Sequence, residues 1–376
     1  MKTKAAVLYE MERPVPYATS RPLILEEVEL DPPGAGEVLV ELASAGLCHS
    51  DLSVLNGNRA WPIPLVLGHE ASGVVRETGA DVTDLKAGDH VVFSFLPVCG
   101  RCPLCVTGRA WLCERGVAAN RAGTLLSGAC RFHHTDGRKL FHHLGVSGFS
   151  QFTVAARESL VKIDKDIPLE IAVLFGCAVM TGVGAVVNTA KVAPGTSLAV
   201  FGLGGVGLSA ILGARLAGAW PIIAVDRLPA KLELARQCGA THTVDASSTD
   251  PIMAIKDLTS GGTETTFEAV GNEQVVAQAF GATRRGGKTV AIGLPHPNRQ
   301  LTIPASILVG EERQLMGSYM GSCIPQRDIP RFLRLYQAGL LPVQLLKSRE
   351  IKLDQVNEAF DALDRGEVAR QVIRFG

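Results

Sequence analysis

The sequence has no surplus of charge of either sign: its 376 residues carry 37 Lys+Arg against 37 Asp+Glu. Such a chain offers no electrostatic footprint for nucleic acid or for an anionic membrane. Aromatic residues are few, at 5%, and none are interleaved with a basic face, which removes the stacking platform of a nucleic-acid binder. No apolar run is clean enough for a membrane span. The nearest in length, Leu198 to Ala217, contains a Gly-rich hexad and Arg215, so a spanning helix is excluded. The N-terminus, MKTKAAVLYEMERPV, lacks an apolar core and a small-residue cleavage site, so no secretory leader is expected and the expected location is cytoplasmic. Internal repeats and low-complexity tracts are absent, which excludes a repeat architecture.

What is present is cysteine, nine in number. An odd count in a cytosolic chain points to metal binding or catalysis rather than disulfides. The length suits two domains, each able to bury a core. Segments such as GEVLVELASAGL, ASGVVRETG and AGDHVVFSF alternate apolar and polar residues between Gly and Pro, so the first 150 residues read as β-rich. Residues 116–148 show no periodicity and read as a long irregular excursion. From Met180 onward, short apolar strands (SLAVF, PIIAVD, THTVD, TTFEAV, KTVAIGL) alternate with helical segments. That βαβ series predicts a parallel doubly wound sheet covered on both faces. Beyond Ser318 the pattern turns to amphipathic helix and ends in a strand-like RQVIRFG.

Four cysteines stand close together in CGRCPLCVTGRAWLC. Cys99, Cys102, Cys105 and Cys113 follow C-x2-C-x2-C-x7-C, and four thiolates close a tetrahedral shell around zinc with no vacancy for chemistry. Gly100 and Gly108 permit the tight loop this needs. A ferredoxin-like iron–sulfur centre shares the spacing, but its fourth cysteine is normally followed by Pro, whereas Glu114 follows Cys113. A nucleic-acid zinc ribbon is opposed by the neutral charge.

A second set is dispersed. GLCHSD supplies Cys48, GHE supplies His69 and Glu70, and GCAVMTG supplies Cys177. Two thiolates and one imidazole form a Cys2His zinc set with the fourth position open, which is the catalytic arrangement. Asp51 suits the second imidazole nitrogen of His69. Glu70 places a carboxylate nearby, and Ser50 offers a hydroxyl to take a proton from an alcohol.

FGLGGVG holds G-x-G-x-x-G as Gly202, Gly204 and Gly207, between a strand and a helical stretch starting at Val206; Gly205 and Val206 are expected to contact the coenzyme with these glycines. Gly202 permits the turn, Gly204 lets backbone approach a pyrophosphate, and Gly207 allows helix to pack on strand. The helix N-terminus presents N–H groups to phosphate. Asp226 ends the next strand and suits a ribose 2′-hydroxyl, which favours NAD over NADP; Arg227 beside it pulls the other way.

Together these stretches resemble the zinc-dependent alcohol dehydrogenases of the medium-chain dehydrogenase/reductase superfamily, over essentially the whole chain. The resemblance rests on AGLCHSDLS, LGHEASGVV, VCGRCPLCVTGRAWLC, GCAVMTGVGA, FGLGGVGL and AVDRLPAKLELAR, in that order. It implies an α/β protein: a β-rich GroES-like catalytic domain from residues 1–178 and 319–376, and a Rossmann NAD-binding domain from residues 179–318. It implies two zinc ions per subunit, one catalytic on Cys48, His69 and Cys177, one structural on Cys99, Cys102, Cys105 and Cys113. It assigns Ser50 to the start of a proton relay, His49 and Arg370 to the coenzyme pyrophosphate, Thr181 to the nicotinamide and Lys231 to the adenosine ribose. Ile292 and Leu294 line the nicotinamide pocket. The implied reaction oxidises a primary aliphatic or aromatic alcohol to an aldehyde by hydride transfer to NAD+, and reverses it. The expected assembly is a homodimer, with a tetramer as the alternative, and no nucleic-acid or membrane partner.

Three departures qualify the match. Some members end the proton relay on a histidine where this chain has Ser53, so the proton leaves through ribose hydroxyls or His49. Gly57 and Arg59 replace the acids that mark glutathione-adduct enzymes. The excursion after Cys113 resembles longer branches that include nicotinoproteins, whose NAD does not dissociate. A nicotinoprotein with an external acceptor, and a non-catalytic NAD-binding zinc protein, are therefore the alternatives. Trp61, Phe95 and the excursion are expected to shape an apolar pocket. The pairs His133/His134 and His142/His143 read as a solvated loop, and Cys130, Cys238 and Cys323 as ordinary free thiols.

Overall fold

Short strands dominate the first 163 residues of the computed structural model, which describes residues 1–376. They are β1 (Lys2–Leu8), β2 (Leu23–Leu30), β3 (Glu37–Leu47), β4 (Leu65–Val66), β5 (Glu70–Thr78), β6 (His90–Phe93), β7 (Phe132–His133), β8 (Lys139–His142), β9 (Phe152–Ala156) and β10 (Leu160–Ile163). β1, β2, β7, β8 and β4 close into a small barrel, while β10, β6, β5 and β3 lie side by side in a second sheet with β9 on β3. The inward residues of that second sheet, among them Val38, Val40, Val75, Val91 and Phe93, form a buried apolar cluster. Each such side chain contributes about 1.5–3 kcal/mol on burial.

Residues 116–148 are not the irregular excursion their pattern predicted. They contain most of the helix Glu114–Arg121 and the β7–β8 pair that completes the barrel. Strands of two and four residues are too short to register a period of two.

The βαβ series forms a parallel sheet in the order β13-β12-β11-β14-β15-β16. Its strands are β11 (Leu198–Phe201), β12 (Ile222–Asp226), β13 (His242–Asp245), β14 (Thr263–Glu268), β15 (Thr283–Ala291) and β16 (Gln314–Gly317). β11 is buried throughout, as a central parallel strand must be. The helix Pro229–Cys238 has Pro at its first turn and stops at Gly239, whose φ of +118° suits glycine. The chain then forms β17 (Lys347–Ile351) and β18 (Arg370–Arg374), and β18 pairs antiparallel with β3 through Gln371↔Leu47.

Two compact units result: residues 1–177, 324–333 and 347–376 in one, residues 178–323 and 334–346 in the other. Residues 334–346, expected with the first unit, pack with the second. They include the end of the helix Pro325–Gln337, whose amphipathic period does not say which core receives it. No single helix is long and apolar enough to cross a membrane. The segment from Leu198 to Ala217 divides instead into β11 and the helix Gly205–Leu216.

Candidate active site

Strand pairing assembles the dispersed Cys2His set. β3 runs antiparallel to β5 with Gly46 opposite Glu70, so the end of β3 meets the start of β5. Cys48 follows β3 and caps the helix His49–Leu55, while His69 immediately precedes β5. Gly68 makes the turn before His69 with φ +93°, and a Cβ there would lie 2.6 Å from the Phe149 ring. Cys177 arrives from residues 173–176, where Gly176 approaches β6 so closely that a Cβ would sit 2.4 Å from the Phe93 carbonyl. The metal-binding atoms of Cys48, His69, Glu70 and Cys177 all lie within 4.8 Å of one another, and all four residues are buried.

Electrostatics fit a cation there. The Cys177 thiol donates to Cys48 and holds it well below the ordinary thiol value, while the same contact, with burial, pushes Cys177 well above it. Glu70 is wholly buried; burial raises its pKa against the pull of Arg370. Its Oε2 accepts from the Arg370 guanidinium, but Oε1 has no hydrogen-bond partner and lies 3.6 Å from His69 Nε2. A buried, orphaned carboxylate oxygen beside two thiols and an imidazole matches zinc.

Asp51 organises the ligands. Its Oδ2 accepts from the Cys48 backbone N–H at 3.0 Å, and its Oδ1 faces His69 Nδ1 at 2.8 Å. An acceptor-only carboxylate makes Nδ1 the protonated nitrogen, which leaves Nε2 free to ligate. Burial works against a charged His69, but Asp51 and Cys48 outweigh it and raise its pKa well above the ordinary value.

Other expected residues are placed as follows. Ser50 is half-buried and His49 exposed, both in the first turn after Cys48. Ser53 donates to the His49 carbonyl at 2.8 Å. Arg370, which the resemblance assigns to the coenzyme, is buried; besides Glu70 it donates to the Leu47 carbonyl at 3.2 Å. The pairing of β18 with β3 puts it there. The solvated-loop reading fails for the second histidine pair, whereas His133 and His134 stay partly exposed. His142 and His143 are fully buried, and burial pulls His142 down to about 3. His133 faces Asp31 at 2.8 Å and His134 faces Asp136 at 3.0 Å. The His143 ring packs edge-on against His69 and Trp61, and Phe95 packs edge-on against His69.

The Cys99, Cys102, Cys105 and Cys113 sulfurs also lie within 4.8 Å of one another. Gly100 and Gly108 have φ +71° and +81°. The Cys113 sulfur accepts from the backbone N–H of Cys99 and of Gly116. Burial resists ionisation of Cys102, but the N–H groups of Cys105 and Glu114 donate to it and bring it to about 6. The set fits a closed thiolate zinc site.

The dinucleotide turn lies between β11 and the helix Gly205–Leu216. Gly202 has φ +88°. A Cβ on Gly207 would sit 1.8 Å from the Gly202 carbonyl, whereas one on Gly204 would meet nothing within 4 Å. Gly207 therefore serves packing, and Gly204 borders open space of the kind a pyrophosphate fills. Asp226 Oδ2 accepts from the Leu203 N–H at 2.7 Å, fixing the turn to the end of β12. Arg227 follows it, Lys231 is half-buried on the next helix, Thr181 and Ile292 are buried, and Leu294 is exposed. Sequence reading missed Glu268, whose Oε1 accepts from the N–H groups of Val270 and Gly271 and shapes the end of β14. An acid directly before Ala-Val-Gly at a strand end was the available signal.

These contacts predict a contrast. Gly207→Ala should lower stability by about 1–3 kcal/mol through overpacking. Gly204→Ala should leave the melting temperature unchanged and weaken NAD binding at least about tenfold, or roughly 1.4 kcal/mol. Thermal melts and calorimetric titration with NAD check both.

Two family models match the chain: the alcohol dehydrogenase GroES-like domain over residues 34–165 and the zinc-binding dehydrogenase model over residues 205–338. S-(hydroxymethyl)glutathione dehydrogenase of Synechocystis sp. is 38% identical over 380 residues, covering 100% of both chains. Alcohol dehydrogenase class-3 of Drosophila melanogaster is 38% identical, covering 99% of this chain and 97% of its own. The crystal structure of benzyl alcohol dehydrogenase from Acinetobacter calcoaceticus matches with a TM-score of 0.93 at 33% identity, over 100% of each chain.

Proposed function

The chain belongs to the zinc-dependent alcohol dehydrogenases of the medium-chain dehydrogenase/reductase superfamily, and from that premise we propose that it oxidises a primary alcohol to an aldehyde with NAD+, and catalyses the reverse. The buried Cys48–His69–Cys177 set beside the unpartnered Glu70 oxygen carries this reading. Zinc held there supplies Lewis acidity toward an alcohol oxygen, and NAD held at the Gly202–Gly207 turn supplies the hydride acceptor.

The chain's own residues do the rest. Asp51 fixes the His69 tautomer. Ser50, two residues beyond Cys48, accepts the hydroxyl proton and passes it toward solvent, with exposed His49 next to it. Arg370 neutralises Glu70, so we assign it to that carboxylate rather than to the pyrophosphate. Asp226 accepts from a ribose hydroxyl. Cys99, Cys102, Cys105 and Cys113 hold the structural zinc. β16 is an edge strand, and Val309 before it is 83% exposed; we assign this region to a homodimer contact, and the thiolate sites suit the reducing cytoplasm.

Phe95 and His143 pack against His69, and Trp61 packs against His143, which favours a benzylic or other apolar primary alcohol. The identity to S-(hydroxymethyl)glutathione dehydrogenases favours a second substrate, S-(hydroxymethyl)glutathione. Absorbance at 340 nm decides between them. The expected result is a higher kcat/KM for benzyl alcohol than for S-(hydroxymethyl)glutathione, with free NAD+ as acceptor. Turnover of the glutathione adduct alone overturns the substrate assignment. Turnover with an artificial acceptor but not with added NAD+ identifies a nicotinoprotein.

A further inference from the structure

His143 is buried, 1% exposed, and performs no chemical step in the scheme above. Its Nδ1 lies 3.3 Å from Asp51 Oδ1. The contact lacks hydrogen-bond geometry, so Nδ1 remains an unpaired buried atom. An unpaired buried nitrogen is costly, and sites of this kind commonly tighten when their ligand is bound. The ring itself is held on two sides: its centroid is 5.6 Å from that of His69 and 5.2 Å from that of Trp61, both nearly perpendicular. Trp61 is in turn tied to the neighbouring strand, its Nε1 donating to the His142 carbonyl at 3.4 Å.

The partners decide the tautomer. Asp51 accepts only, so a bare Nδ1 would set a lone pair against a carboxylate oxygen; a protonated Nδ1 gives that oxygen a second donor beside His69. We infer that His143 is a positioning residue for the catalytic metal: it donates from Nδ1 to Asp51 and so fixes the carboxylate that orients His69. The chain runs Trp61–His143–Asp51–His69. Groups that orient a ligating imidazole typically change metal affinity by about 10- to 100-fold when removed. The inference rests on Cys48, His69 and Cys177 holding zinc.

The test compares zinc release to dipicolinate, followed by elemental analysis, in the parent protein and in His143→Phe, His143→Asn and His143→Gln. Phe keeps the packed ring and removes the donor. Asn places an amide nitrogen as many bonds from the backbone as Nδ1, whereas the Gln amide is one bond farther. The zinc on Cys99, Cys102, Cys105 and Cys113 is the internal reference within each chain. The expected result is one zinc released about 10- to 100-fold faster in the Phe and Gln variants, near-parent release in the Asn variant, and an unchanged second zinc. Cobalt(II) substituted at the labile site should show a shifted visible spectrum in Phe and Gln but not in Asn. Equal release rates in parent and Phe overturn the inference, and so does an Asn variant as labile as Gln. Should the Phe variant not fold, the Asn–Gln pair carries the test. A parent protein that binds only the reference zinc contradicts the proposed function instead.

Discussion

Replacing Cys48 with serine should lower kcat by about a thousandfold or more, corresponding to several kcal/mol of lost Lewis-acid stabilisation at 1.36 kcal/mol per tenfold. A serine hydroxyl is a poor substitute for a soft thiolate. It also removes the sulfur that accepts from the Cys177 thiol. Elemental analysis should find one zinc per chain in place of two. NAD affinity should stay within about twofold, less than 0.5 kcal/mol, because the dinucleotide turn belongs to the unit built from residues 178–323 and 334–346. Asp51 would still receive the residue 48 backbone N–H, so the strand-to-helix junction should survive. A Cys48→Ser variant with near-parent turnover would remove the metal from the reaction.

The second large effect is on stability. The lobe carrying Cys99 to Cys113 has almost no core of its own: the helix Pro103–Val106 buries no residue, and Val106 is 69% exposed. Four sulfurs converge where apolar contacts are missing, so the ion must supply the organisation. Structural zinc contributes about 10–16 kcal/mol in isolated peptides, part of it offset by ordering the loop. A net loss of about 4 kcal/mol in Cys102→Ser should lower the melting temperature by roughly 10 °C. Proteolysis should then cut between residues 99 and 113, while the remaining folded enzyme keeps most of its kcat. Loss of kcat with no change in melting temperature would reverse the assigned roles of the two sites.

These two sites differ in how they could be read from sequence. The four-cysteine lobe is local, so spacing alone brings its donors together. Cys48, His69 and Asp51 were legible because GLCHSD and GHE stand at the ends of two strands with clear alternation, and antiparallel pairing brings those ends together. The dinucleotide turn was legible because glycine is required there for stated reasons: φ +88° at Gly202, and a backbone clash at Gly207. His143 was not legible. It directly follows β8, a strand too short to alternate, and only barrel closure by β7 and β8 carries it inward. The surroundings of Arg370 were equally hidden, since nothing local says that β18 pairs with β3. Where a side chain's partner depends on which strands become neighbours, pattern gives the residue type and not the contact.

The central claim is an open metal position on Cys48, His69 and Cys177. Zinc anomalous diffraction from crystals grown with NAD and a primary alcohol tests it directly. The account predicts two peaks per chain, one bonded to the two sulfurs and to His69 Nε2 at about 2.0–2.3 Å, with the alcohol oxygen completing its shell. A single peak at the four-cysteine lobe, or a second ion whose fourth position stays filled by Glu70 while the alcohol lies elsewhere, would contradict it.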